Sequence, residues 1–114
     1  MLLKSEAGRI VNQSSALGSI QFQVSNELAQ RIATPAYAAS KAALNMLTVY
    51  WAKKYEETKL KINTVHPGLV KTRMGGEKAE LSPEEGAKTA VRYATLGADG
   101  PTGGFFYMEE QLPW

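Results

Sequence analysis

Tyr37 and Lys41 stand four residues apart in a stretch, Ala36 to Tyr55, that has neither Gly nor Pro and is rich in Ala, Leu, Met and Lys. A helix is expected there, and at this spacing both side chains fall on one helix face within contact distance. An ammonium beside a phenol favours the phenolate, drawing a pKa normally near about 10 towards values useful for general acid/base work. Such a pair can protonate a carbonyl oxygen or deprotonate an alcohol. The spacing alone is cheap, because Tyr50 with Lys54 and Tyr55 with Lys59 repeat it. Position separates the three. At about 100° and 1.5 Å per residue, Tyr50 points about 140° away from Tyr37, and Tyr55 lies about 27 Å further along. Only Tyr37 opens the helix, and only Tyr37 is set among small residues (Ala36, Ala38, Ala39, Ser40, Ala42, Ala43) that let a flat ligand approach the backbone.

Two further groups join the pair if the chain places its loops at strand ends. Arg9 to Asn12 follows Gly8 and runs into Ser14-Ser15, a short buried strand opening into a polar turn. Leu60 to Val65 reads as a second strand, stopped by His66-Pro67-Gly68. Gly104 to Met108 is a third, aromatic strand after the turn Gly100-Pro101-Thr102-Gly103. Between the second and third strands, a glycine-punctuated loop to Leu81 leads to Ser82-Pro83-Glu84-Glu85, a capping box that starts a helix ending near Gly97. Its expected buried face is Ala87, Ala90, Val91 and Ala94. The segment from Ala16 to Pro35 has poor periodicity and reads as a long loop, with Ser25-Asn26-Glu27 capping a short helical piece through Ile32. The long helix carries apolar residues on two stripes, Leu44, Leu47 and Trp51 beside Ala43, Met46 and Tyr50, so cover on more than one face is expected. The order strand, loop, helix, strand, loop, helix, strand describes two βαβ crossovers in a parallel sheet. Ligands of such sheets bind beyond the carboxyl ends of the strands, where Ser14-Ser15 and Pro67-Gly68 stand.

Composition narrows the chemistry. The chain has 114 residues, 44% of them apolar, which suits one globular unit and excludes a disordered or collagen-like chain. Thirteen Lys and Arg against eleven Asp and Glu are scattered, not clustered, so nucleic acid is not the expected partner. No cysteine and a single histidine, His66, leave neither a disulfide scaffold nor a multi-ligand metal site, and no metal is expected. Long apolar runs and a secretory h-region are missing, which suits a cytoplasmic location away from membranes. Several of these residues also have plain structural readings. Ser14-Ser15 is equally a turn motif, Pro67-Gly68 a strand stop, Lys71 and Arg73 solvated charges or phosphate neighbours, and Trp51 with Phe105-Phe106-Tyr107 core. His66 lacks a Ser or Asp partner at useful spacing and reads as structural. Met74 is placed to cover a bound ligand.

The ordered segments G-R-I-V-N-Q-S-S-A-L-G (Gly8 to Gly18), Y-A-A-S-K-A-A-L (Tyr37 to Leu44) and I-N-T-V-H-P-G-L-V-K-T (Ile62 to Thr72) strongly resemble the C-terminal half of the short-chain dehydrogenase/reductases. The segment S-P-E-E-G-A-K-T (Ser82 to Thr89) and the ending D-G-P-T-G-G-F-F (Asp99 to Phe106) are most similar to the carbonyl-reductase-like branch. The resemblance implies an α/β fold, the C-terminal part of a Rossmann-like doubly wound parallel sheet with about three strands and two main helices. It implies Tyr37 as proton donor or acceptor, Lys41 as the group that lowers its pKa and binds the nicotinamide ribose, and Ser15, in preference to Ser14, as the hydroxyl holding the substrate carbonyl. Pro67, Gly68, Val70 and Thr72 match the segment that lines the nicotinamide, with Thr72 also facing the pyrophosphate. The implied reaction is reduction of an aldehyde or ketone to an alcohol with NADP(H). The residues that would choose between NADP(H) and NAD(H) are not in this sequence, so NAD(H) stays open.

The family's glycine-rich turn and ribose selector, which belong to an N-terminal cofactor-binding half, are absent here, as is its asparagine-containing segment. The 114 residues therefore read as the catalytic half of one domain, a fragment inactive by itself. The Gly8 strand would then have an exposed edge open to self-association. The alternative is a non-enzymatic remnant serving as an interaction or regulatory piece. The resemblance implies a small-molecule carbonyl or alcohol substrate. Twenty-one residues separate Ser15 from Tyr37, enough to cover a substrate pocket and obstruct a dimerising helix face, which suits a monomer.

Overall fold

The structure, a computed structural model, describes residues 1–114. In chain order the elements are β1 (Arg9–Gln13), α1 (Ile20–Ser25), α2 (Glu27–Ile32), α3 (Pro35–Lys54), β2 (Lys61–Val65), α4 (Pro83–Ala94), β3 (Phe105–Tyr107) and β4 (Glu110–Gln111). Single 3₁₀ turns occupy Leu2–Lys4 and Ala16–Gly18. The sheet order is β1-β2-β3-β4, parallel across the first two pairs and antiparallel across the last. Both expected crossovers are present, one through α3 and one through α4, with a helix packed on each face of the sheet. β1 and β4 are the two edge strands.

The strand residues alternate between the two faces, as the pleat requires. Ile62, with Ile10, meets Ala52, Leu60 and Tyr55 on the α3 side. Val65, with Val11, meets Tyr93, Phe106, Ala90 and Leu96 on the α4 side, where the Tyr93 and Phe106 rings stack with centroids 4.4 Å apart. Four consecutive residues of β2, Ile62 to Val65, are buried, as befits an inner parallel strand covered on both faces.

A polar lock seats α3 on the sheet. Thr48, fully buried, donates its hydroxyl proton to the Leu44 carbonyl at 2.9 Å and accepts from Asn12 Nδ2 at 2.8 Å. Its second lone pair faces Thr64 Oγ1 of β2 at 2.7 Å. One donor and two acceptor positions are thereby used, so Thr64 is the donor of that last bond. The lock joins α3 to both β1 and β2, and so sets where the helix start lies relative to the strand ends.

Several expectations need correction. Within the stretch from Ala16 to Pro35, the helical piece through Ile32 is present as expected, Asn26 capping α2 by accepting from the Leu28 and Ala29 amides. The rest is not all loop, because Ser19 caps α1, its Oγ accepting from the Phe22 amide at 3.0 Å. The apolar residues Ile20, Val24, Leu28 and Ile32 of these helices are exposed. The sheet has four strands, not three. β4 is two exposed polar residues and follows a turn at Met108, a non-glycine residue with φ +52°, so neither apolar alternation nor a turn residue announces it. α3 is covered along a single stripe, Asn45, Thr48 and Ala52, whereas Met46, Leu47, Tyr50 and Trp51 are exposed, and Trp51 is not core. On α4 the buried face is Gly86, Thr89 and Tyr93, one position away from the alanine face, while the helix ends near Gly97 as expected, with Thr95 as its cap. The capping box is present as expected, with Ser82 Oγ accepting from the Glu85 amide at 3.2 Å and Glu85 Oε2 accepting from the Ser82 amide at 2.8 Å. No helix is long and apolar enough to cross a membrane.

Candidate functional site

The carboxyl ends of β1 and β2 and the start of α3 meet at one end of the sheet. Thr34 caps α3, its Oγ1 accepting from the Tyr37 amide at 3.3 Å, with Pro35 preset for the first turn. Tyr37 therefore sits in the first turn, half-buried. Lys41 places Nζ 5.7 Å from the Tyr37 ring centroid and donates to the Gln13 carbonyl at the end of β1, at 3.1 Å. This uses one of its three N–H groups. The two competing pairs do not form. Lys54 Nζ lies over Trp51 at 5.0 Å instead of pairing with Tyr50, and Lys59 pairs with Glu6. Tyr55 is already the cap residue ending α3.

Beyond β1 the ladder continues for one bond, from the Ser14 amide to the Val65 carbonyl at 2.8 Å. Ser14 is 3% exposed, and its hydroxyl points to the Lys41 carbonyl at 3.5 Å. Ser15 is 8% exposed, and its Oγ accepts from the Leu17 amide at 3.2 Å as it caps the 3₁₀ turn. The two serines thus differ in what remains free. The Ser14 proton is aimed at a protein carbonyl, whereas the Ser15 proton has no protein acceptor and can be donated to a ligand.

Gly18 lets this turn lie against α3. A Cβ there would stand 2.6 Å from Lys41 Cβ and 2.8 Å from the Lys41 carbonyl carbon, so only glycine permits the approach. Leu17, Ile20, Ala38 and Ala42 line an apolar cleft of about 230 Å³ between the turn, α1 and α3. Gly18 stood within the Gly8 to Gly18 segment, but its contact with α3 spans too much sequence to be read locally.

At the other strand end, His66 follows β2 and its amide donates to the Phe106 carbonyl at 2.8 Å. Its Nδ1 accepts from the Ala16 amide at 3.2 Å, and its ring packs on Tyr107 with centroids 5.5 Å apart. Burial pushes the His66 pKa below the ordinary histidine value. Gly68 adopts φ +83°, the left-handed region that favours glycine, and turns the chain away from β2. Val70 is pinned between a bridge to Leu81 and the first turn of α4, where a Cβ on Gly86 would fall 2.4 Å from Val70 Cγ2. Thr72 Oγ1 accepts from the Gly75 amide at 3.1 Å and faces the Val70 carbonyl at 3.4 Å, so its hydroxyl serves its own loop here. Lys71, Thr72, Arg73, Gly76 and Glu77 line an open depression of about 680 Å³. Met74 is exposed.

The structure thus joins Ser14 to the Lys41 carbonyl and Lys41 to the Tyr37 ring, and sets Ser15 in the turn that Gly18 seats against α3. It ties the Pro67-Gly68 end to them through His66, and carries Val70 and Thr72 on the loop that follows.

The short chain dehydrogenase family model matches residues 1–82. Carbonyl reductase [NADPH] 1 of Rattus norvegicus is 41% identical over 85 residues, covering 69% of this chain and 31% of the relative. Salutaridine reductase of Papaver bracteatum is 36% identical over 147 aligned positions, covering 98% of this chain and 46% of the relative. The crystal structure of NADPH-bound carbonyl reductase from chicken fatty liver superposes with a TM-score of 0.74 at 31% identity, covering 100% of this chain and 48% of that one. The chain spans less than half the length of each of these proteins. By the extent of the match and by its sheet, with one helix on each face, the chain belongs to the short-chain dehydrogenase family and to its carbonyl-reductase-like members.

Proposed function

We propose that these 114 residues are the catalytic half of an NADP(H)-dependent reductase that converts an aldehyde or ketone to an alcohol. The observation that carries this reading is the Tyr37 ring facing the Lys41 ammonium in the first turns of α3, with an uncommitted Ser15 hydroxyl in the turn that follows β1 at the carboxyl end of the parallel strands. Ser15 donates a hydrogen bond to the substrate carbonyl oxygen and holds it at the strand end. Tyr37 gives its phenolic proton to that oxygen, and the Lys41 ammonium stabilises the phenolate left behind. In the reverse direction Tyr37 takes the proton from the alcohol.

The donor set fits the nicotinamide end of a dinucleotide. Lys41 keeps two N–H groups for ribose hydroxyls, the Pro67-Gly68 turn follows the end of β2, and Lys71 and Arg73 put cations beside the depression at Thr72. NADP(H) supplies the hydride when bound. Val70 contributes backbone groups towards the nicotinamide amide, and Thr72 a hydroxyl towards phosphate once released from Gly75. NADP(H) is favoured over NAD(H) because the rat relative and the chicken structure are described with NADPH.

The test is NADPH oxidation at 340 nm with a panel of small aldehydes and ketones, using these 114 residues joined to an N-terminal cofactor-binding half, and the same protein with Tyr37→Phe; the 114 residues alone are expected to give no oxidation. Carbonyl-dependent oxidation that the substitution abolishes is the expected result. Equal rates in both proteins would remove Tyr37 from the reaction. The second reading, a non-catalytic interaction piece, draws on the open β1 edge and the exposed Met46, Leu47, Tyr50 and Trp51 of α3. It predicts saturable self-association or partner binding with no nucleotide binding.

A further inference from the structure

His66 is the single histidine of the chain, and nothing in the proposed proton transfer uses it. Its ring nevertheless makes the one side-chain hydrogen bond that joins the end of β2 to the turn after β1, across 50 residues. The donor is the backbone amide of Ala16, which can only donate, so Nδ1 carries no proton and the neutral ring holds its hydrogen on Nε2. The peptide held in this way is the one between Ser15 and Ala16. Within the turn, Leu17 N–H donates to Ser15 Oγ and Gly18 N–H to the Ser15 carbonyl at 2.9 Å. Its later carbonyls are held from the helices, Leu17 by Gln23 Nε2 at 2.8 Å and Gly18 by Asn45 Nδ2 at 3.3 Å, and Gly18 packs on Lys41. On the β2 side the Ser14 amide reaches the Val65 carbonyl, and His66 supplies the one bond to the peptide that follows Ser15.

We propose that His66 is a positioning residue for Ser15: its neutral ring anchors the Ser15–Ala16 peptide to the end of β2, and protonation at Nδ1 releases the anchor. A protonated ring would set an N–H against the Ala16 N–H, turning attraction into repulsion. This rests on the substrate-holding role of Ser15 proposed above. The surroundings make the device simple. Tyr107 of β3 is the titratable group packed on the ring, the turn contributes only Ser14, Ser15 and Ala16, and the site's cation, Lys41, is engaged with the Gln13 carbonyl. Burial alone lowers the His66 pKa, with no charged neighbour contributing. The anchor is therefore intact at neutral pH and is lost only as pH falls below the ordinary histidine range.

Because there is one histidine, its ring nitrogens are read without assignment ambiguity in ¹⁵N-labelled protein. The expected result is an unprotonated Nδ1 at neutral pH, and an Ala16 amide resonance that titrates with the same midpoint as the ring, below the ordinary histidine value. His66→Phe keeps a ring against Tyr107 but loses the acceptor, and should speed Ala16 amide exchange about fivefold, the factor one ordinary hydrogen bond is worth. His66→Asn offers Oδ1 in place of Nδ1, and should restore protection and abolish the pH dependence. A proton on Nδ1 at neutral pH, an Ala16 amide indifferent to the ring's titration, or an asparagine variant no better protected than phenylalanine would each overturn the proposal. In the reductase assay, kcat should fall through the same midpoint while KM for NADPH stays level, and the fall should vanish in His66→Asn. An Ala16 amide that follows the ring while kcat does not would uphold the anchor and refute the role given to Ser15.

Discussion

Thr48→Val removes a hydroxyl from the centre of the lock between α3 and the sheet without changing side-chain shape. Two donors lose their acceptor, Thr64 Oγ1 at 2.7 Å and Asn12 Nδ2 at 2.8 Å. Thr64 is fully buried, so no water replaces the lost partner, whereas Asn12 is half-buried and can recruit one. A buried polar group left unsatisfied costs about 1–3 kcal/mol, which puts the Thr64 share at about 2 kcal/mol and the Asn12 share at about 1 kcal/mol. Threonine and valine have nearly equal helix propensity, so α3 itself is not weakened. The expected destabilisation is about 3 kcal/mol, a large part of the roughly 5–15 kcal/mol that holds a domain of this size. Urea unfolding followed by circular dichroism measures it, and the double variant Thr48→Val with Thr64→Val supplies the control. With Thr64's donor also removed, the pair should recover about 1 kcal/mol relative to Thr48→Val alone. A single-variant loss below about 1 kcal/mol, or a double variant that is the plain sum of its parts, would refute the donor and acceptor assignment made here.

Tyr37→Phe should abolish carbonyl reduction while leaving NADPH affinity within about twofold, whereas Lys41→Ala should damage both, as steady-state kinetics and nucleotide fluorescence titration will show. Gly18→Ala forces the turn off Lys41, because the added carbon would lie at 2.6 Å from Lys41 Cβ. A displacement near 1 Å at Ser15 is expected to lower kcat about a hundredfold, with the fold retained by circular dichroism. Ser82→Ala should cost about 1 kcal/mol through loss of the helix cap, read from the urea midpoint. The capping amide of Ser82 holds the Glu85 carboxyl below its ordinary pKa. Its contribution is therefore present above the unfolded glutamate pKa and lost as pH falls through the folded value. Glu85→Gln keeps an acceptor for the Ser82 amide but cannot titrate, and should remove that acid dependence in stability measured across pH.

Where neighbouring residues carry the signal, the fold was legible in the sequence. Ser82, Pro83 and Glu85 announce the start of α4 through their own hydrogen bonds, and Pro67-Gly68 stops β2 through ring geometry and a positive φ. Tyr37 and Lys41 were separable from the other tyrosine and lysine pairs because a helix start and a run of alanines are local facts. Position in the core was harder to read. Asn12, Thr48, Thr64 and Asn63 look like surface residues, yet they are satisfied inside, the last by the Pro101 carbonyl and the Gly104 amide. On α4, Gly86 and Thr89 outcompete alanines for burial because Val70 and Met108 need close or polar neighbours. The His66 contact with Ala16 joins residues fifty apart, and no spacing rule reaches that far.

The buried face of α4 also limits how the chain can change length. Gly86 seats Val70 at one end of the helix, while Thr89 Oγ1 accepts from the Met108 amide at 3.1 Å and Tyr93 donates to the Met108 carbonyl at 3.0 Å at the other. The helix works as a gauge rod between the loop after β2 and the hairpin after β3. Substitutions on its outer face are absorbed, but inserting or deleting one residue between Gly86 and Tyr93 rotates one end by about 100° relative to the other. Val70 and Met108 could not then both remain seated. Viable length variation in this part of the chain belongs outside that interval, in the glycine-rich loop before Leu81 or in the turn at Gly97 to Gly104.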